Sequence, residues 1–201
     1  MKGSLAWEPV GVIVDAPDAA FYKVFAAVEP TGQRRMVCLD VSGSMASPLM
    51  GSPLSVCEGA AAMAMTTMRT ESNWHVMAFN HGLTALPLTA RMSLDQVLRH
   101  TWNVNFGGTD CALPMLYALE RGLSLDVFEV YTDNETWAGT VHPVQALSQY
   151  RAKTGISAKL IVAGMTSTGF SIADPDDGDM LDVVGFDSAA PAVMADFARS
   201  R

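Results

Sequence analysis

Charge, cysteine chemistry and long apolar runs are all scarce in this chain. Only 17% of the 201 residues are charged, and acids outnumber bases 21 to 13, for a net charge of −8 and a pI near 4.8. Nucleic-acid affinity rests mainly on Lys and Arg neutralising phosphates. This chain alone is therefore not expected to be a strong or general RNA or DNA binder. The three cysteines, Cys38, Cys57 and Cys111, form no C-x-x-C pair, which leaves no support for a zinc knuckle or a redox motif. Cys38 and Cys57 sit in apolar stretches and read as small core residues, so a reducing compartment is expected. A membrane-spanning helix needs ~20 mostly apolar residues, and the nearest candidate, GAAAMAMTTM at 59–68, is too short. The N-terminus lacks a long apolar region followed by a small-residue cleavage site. A soluble, cytoplasmic protein without membrane contact is expected.

Apolar content, by contrast, is ample. Hydrophobic residues make up 49% of the chain, which argues against disorder. The length suits a single α/β domain over 1–201 with a sizeable core. No repeat, low-complexity tract or linker divides it.

Periodicity gives an alternation of strands and helices. Residues 1–14 read as an apolar lead-in. A helix is predicted from Asp15, with Phe21, Val24, Phe25 and Val28 on one face and Pro30 and Gly32 ending it. MVCLDV (36–41) reads as a buried strand. The segment 54–68 reads as a helix that is apolar nearly all round and so covered on most faces. WHVMAF (74–79) is a predicted strand. TALPLT (84–89) is a predicted edge strand, where Pro87 is tolerated. The segment 93–101 opens with a capping box of Ser93 and Gln96. Helices are also predicted over 111–122, 142–155 and 189–200, and strands over 126–133, 158–165 and 181–186. Strands separated by helices imply a doubly wound, mostly parallel central sheet with helices on both faces, here with one antiparallel edge strand. Ligands of such sheets bind at the carboxyl ends of the strands.

Three segments there carry oxygen-rich side chains. In DVSGSM, Asp40, Ser42 and Ser44 alternate after a buried strand, and Gly43 allows a sharp bend between them. Three oxygens at this spacing can converge on a hard cation; an N-cap turn explains the same residues equally well. In FGGTD, Thr109 follows two glycines that permit close backbone approach. In VYTDNETW, Asp133 ends a strand, with Thr132, Asn134 and Glu135 beside it. Each segment alone also reads as an ordinary loop or cap.

Taken in order, the three segments resemble the metal-ion-dependent adhesion site of von Willebrand factor A domains, a Rossmann-like fold. The resemblance implies that Asp40, Ser42, Ser44, Thr109 and Asp133 form a metal shell. In the family the hydroxyls usually bind directly and one or both aspartates act through water. Mg²⁺ is the implied ion, with Mn²⁺ or Ca²⁺ as other hard divalent candidates. A shell of neutral hydroxyls leaves the ion electrophilic, with one position open to an acidic protein ligand. No His or Cys belongs to the set, which argues against soft metals.

A closer resemblance runs through LDVSGSM, GGTDCALPM, VFEVYTDNETWAG, VHPVQALSQYR and the stretch from AKLIVAGMTSTGF to DVVGFD. These segments are similar to the carboxyl-terminal von Willebrand A domain of Ro (SS-A) ribonucleoproteins, bacterial orthologues included. Family members are ring-like RNA binders whose helical TROVE module holds Y RNAs and misfolded non-coding RNAs. The resemblance implies those partners for a larger assembly. The chain holds no TROVE module, so an excised piece or a split version is expected, with metal-dependent docking as its own activity.

The other class weighed is a hydrolase, with Ser42 or Ser44 as nucleophile or an ion activating water. No G-x-S-x-G elbow is present, and His75, His81, His100 and His142 show no recognisable pairing with the serines. A two-metal hydrolase would need more carboxylates and histidines. The acidic stretch DPDDGDMLD (174–182) fails as a calcium loop, because Gly185 falls where a glutamate is needed. A turn with helix-capping aspartates is expected there. Met63 and Met65 read as core. Met45 and Met50 border the serine turn, where packing and a partner groove are both open. For Trp137, loop packing and a contact surface are equally open.

Overall fold

The computed structural model describes residues 28–102, 107–133, 138–167, 169 and 171–200. The lead-in over 1–14 and the helix predicted from Asp15 fall outside these residues, apart from a non-helical tail at 28–32. Among the described residues six strands form one sheet: β1 Arg35–Asp40, β2 Trp74–Phe79, β3 Leu83–Ala85, β4 Val127–Thr132, β5 Lys159–Gly164 and β6 Met180–Val184. Their spatial order is β3-β2-β1-β4-β5-β6. All neighbours pair in parallel except β2 with β3. Among the described residues five α-helices accompany them: α1 Val56–Thr70, α2 Leu94–Trp102, α3 Leu113–Arg121, α4 Pro143–Thr154 and α5 Ala190–Arg199.

The predicted edge strand is real but shorter than expected. It closes at Ala85, before Pro87, whose missing N–H cannot extend a ladder; the Leu86 amide makes one last bond to the Val76 carbonyl at 3.0 Å. The acidic stretch also differs from expectation. Its aspartates close turns ahead of a strand instead of capping a helix: Asp174 accepts from the Asp176 amide and Asp177 from the Asp179 amide. Asx turns of this kind compete with helix formation.

Period-two alternation sends successive residues of β1 to opposite faces. Val37 and Leu39 join the core under α1, α2 and α5, while Met36 and Cys38 join the core under α3 and α4. Helix α1 buries Ala60, Ala61, Ala62 and Ala64 together with Met63, Met65 and Met68. Small side chains bring its axis close to the sheet, and the methionines fill the irregular gaps. Ser55 and Glu58 form a capping box at its start, and Ser93 and Gln96 form the predicted one before α2. Gly122 and Gly155 end α3 and α4 in left-handed conformations. Cys38, Cys57 and Cys111 are all buried. Among the described residues no helix is long and apolar enough to cross a membrane.

Chain order reverses between β1 and β4, so the crevice at their carboxyl ends is the topological switch point. The opposite end of the same two strands holds a buried ionic cluster. Arg35 on β1 contacts Glu129 on β4 and lies 3.3 Å from Glu71 at the end of α1. Thr67 and Tyr131 both donate to Glu129. Burial, then the Glu129 charge, pushes the Tyr131 hydroxyl well above its ordinary pKa and keeps it a donor. The Thr31 and Gly32 amides donate to Glu71 at 2.9 and 3.0 Å, tying the incoming chain to α1. Removing one member of a buried ion cluster strands the others in low dielectric. Arg35→Met is thus expected to lower unfolding free energy by about 3–5 kcal/mol in urea denaturation. A loss below about 1 kcal/mol would show that the cluster is hydrated.

Candidate metal centre

Asp40 is the last residue of β1 and only 1% exposed. One carboxylate oxygen accepts from the Ser42 amide at 2.8 Å, and the other accepts from the Thr132 hydroxyl on β4 at 2.7 Å. These bonds fix its orientation, and both oxygens stay available for a further contact. Next comes a 3-10 turn, Gly43–Ala46, closed by bonds from the Met45 amide to Ser42 O and from the Ser47 amide to Ser44 O. Met45 is buried and anchors the turn in the core. The Ser42 and Ser44 hydroxyl oxygens lie 3.1 Å apart; Ser42 is buried and Ser44 exposed.

Thr109 reaches the same end of the sheet through backbone bonds. The Asp110 amide donates to the Asn80 carbonyl just after β2, and the Ala138 amide donates to the Thr109 carbonyl, both at 2.9 Å. The 107–110 loop is therefore held between the residues following β2 and those following β4. Thr109 is buried. Asp110 accepts from the Ala112 amide at 3.0 Å ahead of α3, and burial raises its pKa. Gly139, at φ 95°, backs this carboxylate: a Cβ there would lie 2.3 Å from Asp110 Oδ2.

Asp133 follows β4, one residue beyond the threonine that bonds Asp40. It is 6% exposed, and its Oδ1 is buried with no hydrogen-bond partner among the described residues. Its charge and that of Asp40 repel each other. Desolvation is the larger influence on Asp40, partly offset by the Ser42 and Thr132 bonds. Together with the Asp133 charge it lifts the Asp40 pKa to about 6. Asn134, Glu135 and Trp137 lie outside the described residues.

All five predicted positions thus fall at the carboxyl ends of β1 and β4 or in the loop tied to them. Sequence reasoning gives no role to Thr132, Asn80, Asp110 or Gly139. They support the centre by orienting Asp40 or holding the Thr109 loop. Thr132 and Asp110 lie inside the T-D and G-G-T-D strings, whereas no such string marks Asn80 or Gly139. Two buried carboxylates at adjacent strand ends, one with an unpartnered oxygen, fit a nearby dication. The accompanying hydroxyls make the set hard and oxygen-only. Among the described residues no three His, Cys, Asp or Glu side chains converge.

The family model for the Ro60 von Willebrand A domain matches residues 34–198. The chain belongs to this family. It is 48% identical over 197 residues to the RNA-binding protein RO60 of Caenorhabditis elegans, covering 98% of this chain and 31% of the relative. It is 49% identical over 201 residues to RO60 of Deinococcus radiodurans, covering 99% and 38%. The crystal structure of the Deinococcus Ro protein superposes with a TM-score of 0.87, at 49% identity, over 99% of this chain and 40% of that one. This Ro60-type A domain thus spans about a third of the length of the curated relatives it matches. Two distant neighbours share the fold. One is the mussel byssus proximal thread matrix protein 1 with a zinc-occupied MIDAS motif (TM-score 0.52, 14% identity, 86% of this chain and 48% of that one). The other is the manganese-loaded TRAP protein of Plasmodium vivax (0.55, 14%, 84% and 74%).

The raised pKa of Asp40 sets a testable sign. A carboxyl whose folded pKa exceeds its unfolded value, about 3.9, favours folding below that value, and this contribution is lost as pH rises through about 6. Without metal, an ionised Asp40 at pH 7 is therefore a net cost. Asp40→Asn keeps an acceptor and removes the charge. In EDTA at pH 7 it should raise the melting temperature, with the gain shrinking as pH falls towards 4. Thermal melts across that range check this, and a destabilised variant at pH 7 would contradict it.

Proposed function

We propose that this chain is a metal-dependent docking domain of a Ro-type ribonucleoprotein. Ser42, Ser44 and Thr109 would supply hydroxyl ligands and Asp40 and Asp133 the balancing charge. The observation that carries the reading is the pair of buried carboxylates at the switch point, one with an unpartnered oxygen. Mg²⁺ is the proposed ion, and the zinc- and manganese-loaded fold neighbours support divalent cations generally. The bound ion would supply Lewis acidity towards an external anionic oxygen. This chain's residues hold it and neutralise its charge. The acceptor bonds on Asp40 also keep that carboxylate pointed at one place.

The docked group is proposed to be a carboxylate of a protein partner. Y RNA, misfolded non-coding RNA and a TROVE module are proposed partners of the larger assembly, supported by relatives named RNA-binding proteins. The net charge of −8 argues that RNA is gripped elsewhere in that assembly. The three buried cysteines, none in a C-x-x-C pair, support a reducing, cytoplasmic setting. We read the domain as non-enzymatic. Ser42 Oγ faces Ser44 Oγ, and no bond to either serine from a histidine occurs among the described residues. A serine nucleophile would need such a base.

Mg²⁺ should raise the melting temperature of the unmodified chain, by the equivalent of about 2.7 kcal/mol at a hundredfold excess over Kd. Asp40→Ala should abolish the rise, and Ser44→Ala or Thr109→Ala should weaken it. Equal shifts in wild type and Asp40→Ala would refute the assignment. Mg²⁺-dependent turnover of an ester or phosphodiester, lost in Asp40→Ala, would favour the hydrolase.

A further inference from the structure

One edge of the sheet is left open by the fold. β6 pairs only with β5, so its far side ends the sheet. Two bonds fix which of its backbone groups are spent. The Leu160 amide donates to the Asp179 carbonyl at 3.0 Å, and the Gly185 amide donates to the Gly164 carbonyl at 2.7 Å. Leu160 stands opposite Met180 and Gly164 opposite Val184. Leu181 and Val183 therefore turn their amides and carbonyls towards β5, and Met180, Asp182 and Val184 turn theirs outward. The Met180 amide bonds back to the Asp177 carbonyl at 2.9 Å. The Asp182 and Val184 amides, and the carbonyls of all three residues, have no ladder partner among the described residues. The opposite edge offers much less, since β3 is three residues long and ends before Pro87.

Side chains along β6 alternate between the two faces. Leu181 and Val183 pack against the core under α1, α2 and α5. Met180 joins the core under α3 and α4. Asp182 and Val184 share its face but are exposed, Val184 by 51%. A strand added here would meet apolar neighbours on one face and a carboxylate on the other. The approach is acidic at both ends. Asp174, Asp176, Asp177 and Asp179 lie in the turns leading into β6, and Asp187 follows it. Arg151 pairs with Asp177 at 2.6 Å, and Lys159 lies 3.9 Å from Asp179. Asp174, Asp176, Asp182 and Asp187 have no cationic partner among the described residues.

An open edge recruits a further strand unless a charge, a proline or a cover prevents it. Asp182 is such a guard against this chain's own kind. Two copies paired antiparallel about Asp182 would set that carboxylate against itself and bring each Asp187 to the other copy's acidic turns, and like charges across a strand pair are destabilising. The same carboxylate attracts a strand of opposite charge. We infer that the outer edge of β6 receives an extended, Lys- or Arg-bearing protein segment as an added strand. Main-chain bonds to Asp182 and Val184 hold it, and alternate side chains set its identity. A cation lies beside Asp182 on one face, and apolar residues extend the row of Leu181 and Val183 on the other. The contact needs no metal and is independent of the centre at the ends of β1 and β4.

The test selects random displayed peptides on the full chain at low salt with EDTA present, so that no dication takes part, and elutes them with high salt. Winners are expected to alternate Lys or Arg with Val, Ile, Leu or Phe over a run the length of β6. N-methylation of one alternate set of a winner's backbone nitrogens should weaken it about tenfold, as loss of a hydrogen bond does, and methylation of the other set should change little. This series decides the question on the unmodified chain. Val184→Pro removes one outward amide and leaves the β5 ladder intact, as an edge strand tolerates. It should weaken binding about tenfold, while Val184→Ala keeps most of the affinity. Asp182→Lys should abolish binding of the cationic winners without lowering the melting temperature. Winners without cations, equal sensitivity of the two nitrogen sets, or full binding by Asp182→Lys would overturn the inference. Retention of no peptide would do the same. A dimer of the unmodified chain that Val184→Pro converts to a monomer would overturn it in favour of a second copy.

Discussion

Two like charges held at the ends of neighbouring strands are the constraint on which this molecule turns. Asp40 ends β1 and Asp133 directly follows β4, the pair where chain order reverses, and both are withdrawn from water. Thr132 and the Ser42 amide orient Asp40, and neither supplies a compensating positive charge. A fold that keeps such a pair carries a local cost, reflected in the raised pKa of Asp40. Sites that hold charge against its own preference are candidates for function. The rest of the architecture fixes the pair in place: the alanine-rich α1 seated close on the sheet, the buried Met45 under the serine turn, and the loop around Thr109.

The two ends of the sheet are electrically unlike. At the amino end, the buried Arg35 is matched with Glu129 and Glu71, and Lys159 caps the carbonyls at the end of α5. At the carboxyl end, the described loop residues include carboxylates and hydroxyls and no Lys or Arg. The first arrangement is self-sufficient and belongs to stability. Among the described residues the second lacks a partner charge, and an external cation is the simplest source of one.

Much of this is legible in the residues. The alternation of buried runs and amphipathic runs yields the sheet, its windings and nearly every element, because parallel strands buried on both faces read as continuous apolar stretches. Asp40, Ser42 and Ser44 are visible as an alternating string after such a stretch. Thr109 and Asp133 become candidates only through the family resemblance, since a loop threonine and a strand-end aspartate carry no local signal. Other features stay hidden because they depend on chain segments far apart in sequence. The Arg35–Glu129–Glu71 cluster joins three elements. The short edge strand is set by where Pro87 meets the ladder. The aspartates of 174–182 follow turn geometry instead of capping a helix. The support of Asp110 by Gly139 requires two loops to meet.

The metal-dependent role proposed for this domain depends on one hard dication binding between these strand ends. Crystals of the chain soaked in Mn²⁺, with anomalous scattering recorded at the manganese edge, answer this directly. A single dominant anomalous peak is expected in contact with the Ser42, Ser44 and Thr109 hydroxyls and flanked by Asp40 and Asp133. No peak there, or a peak held by carboxylates elsewhere such as the 174–182 turns, would refute the metal centre.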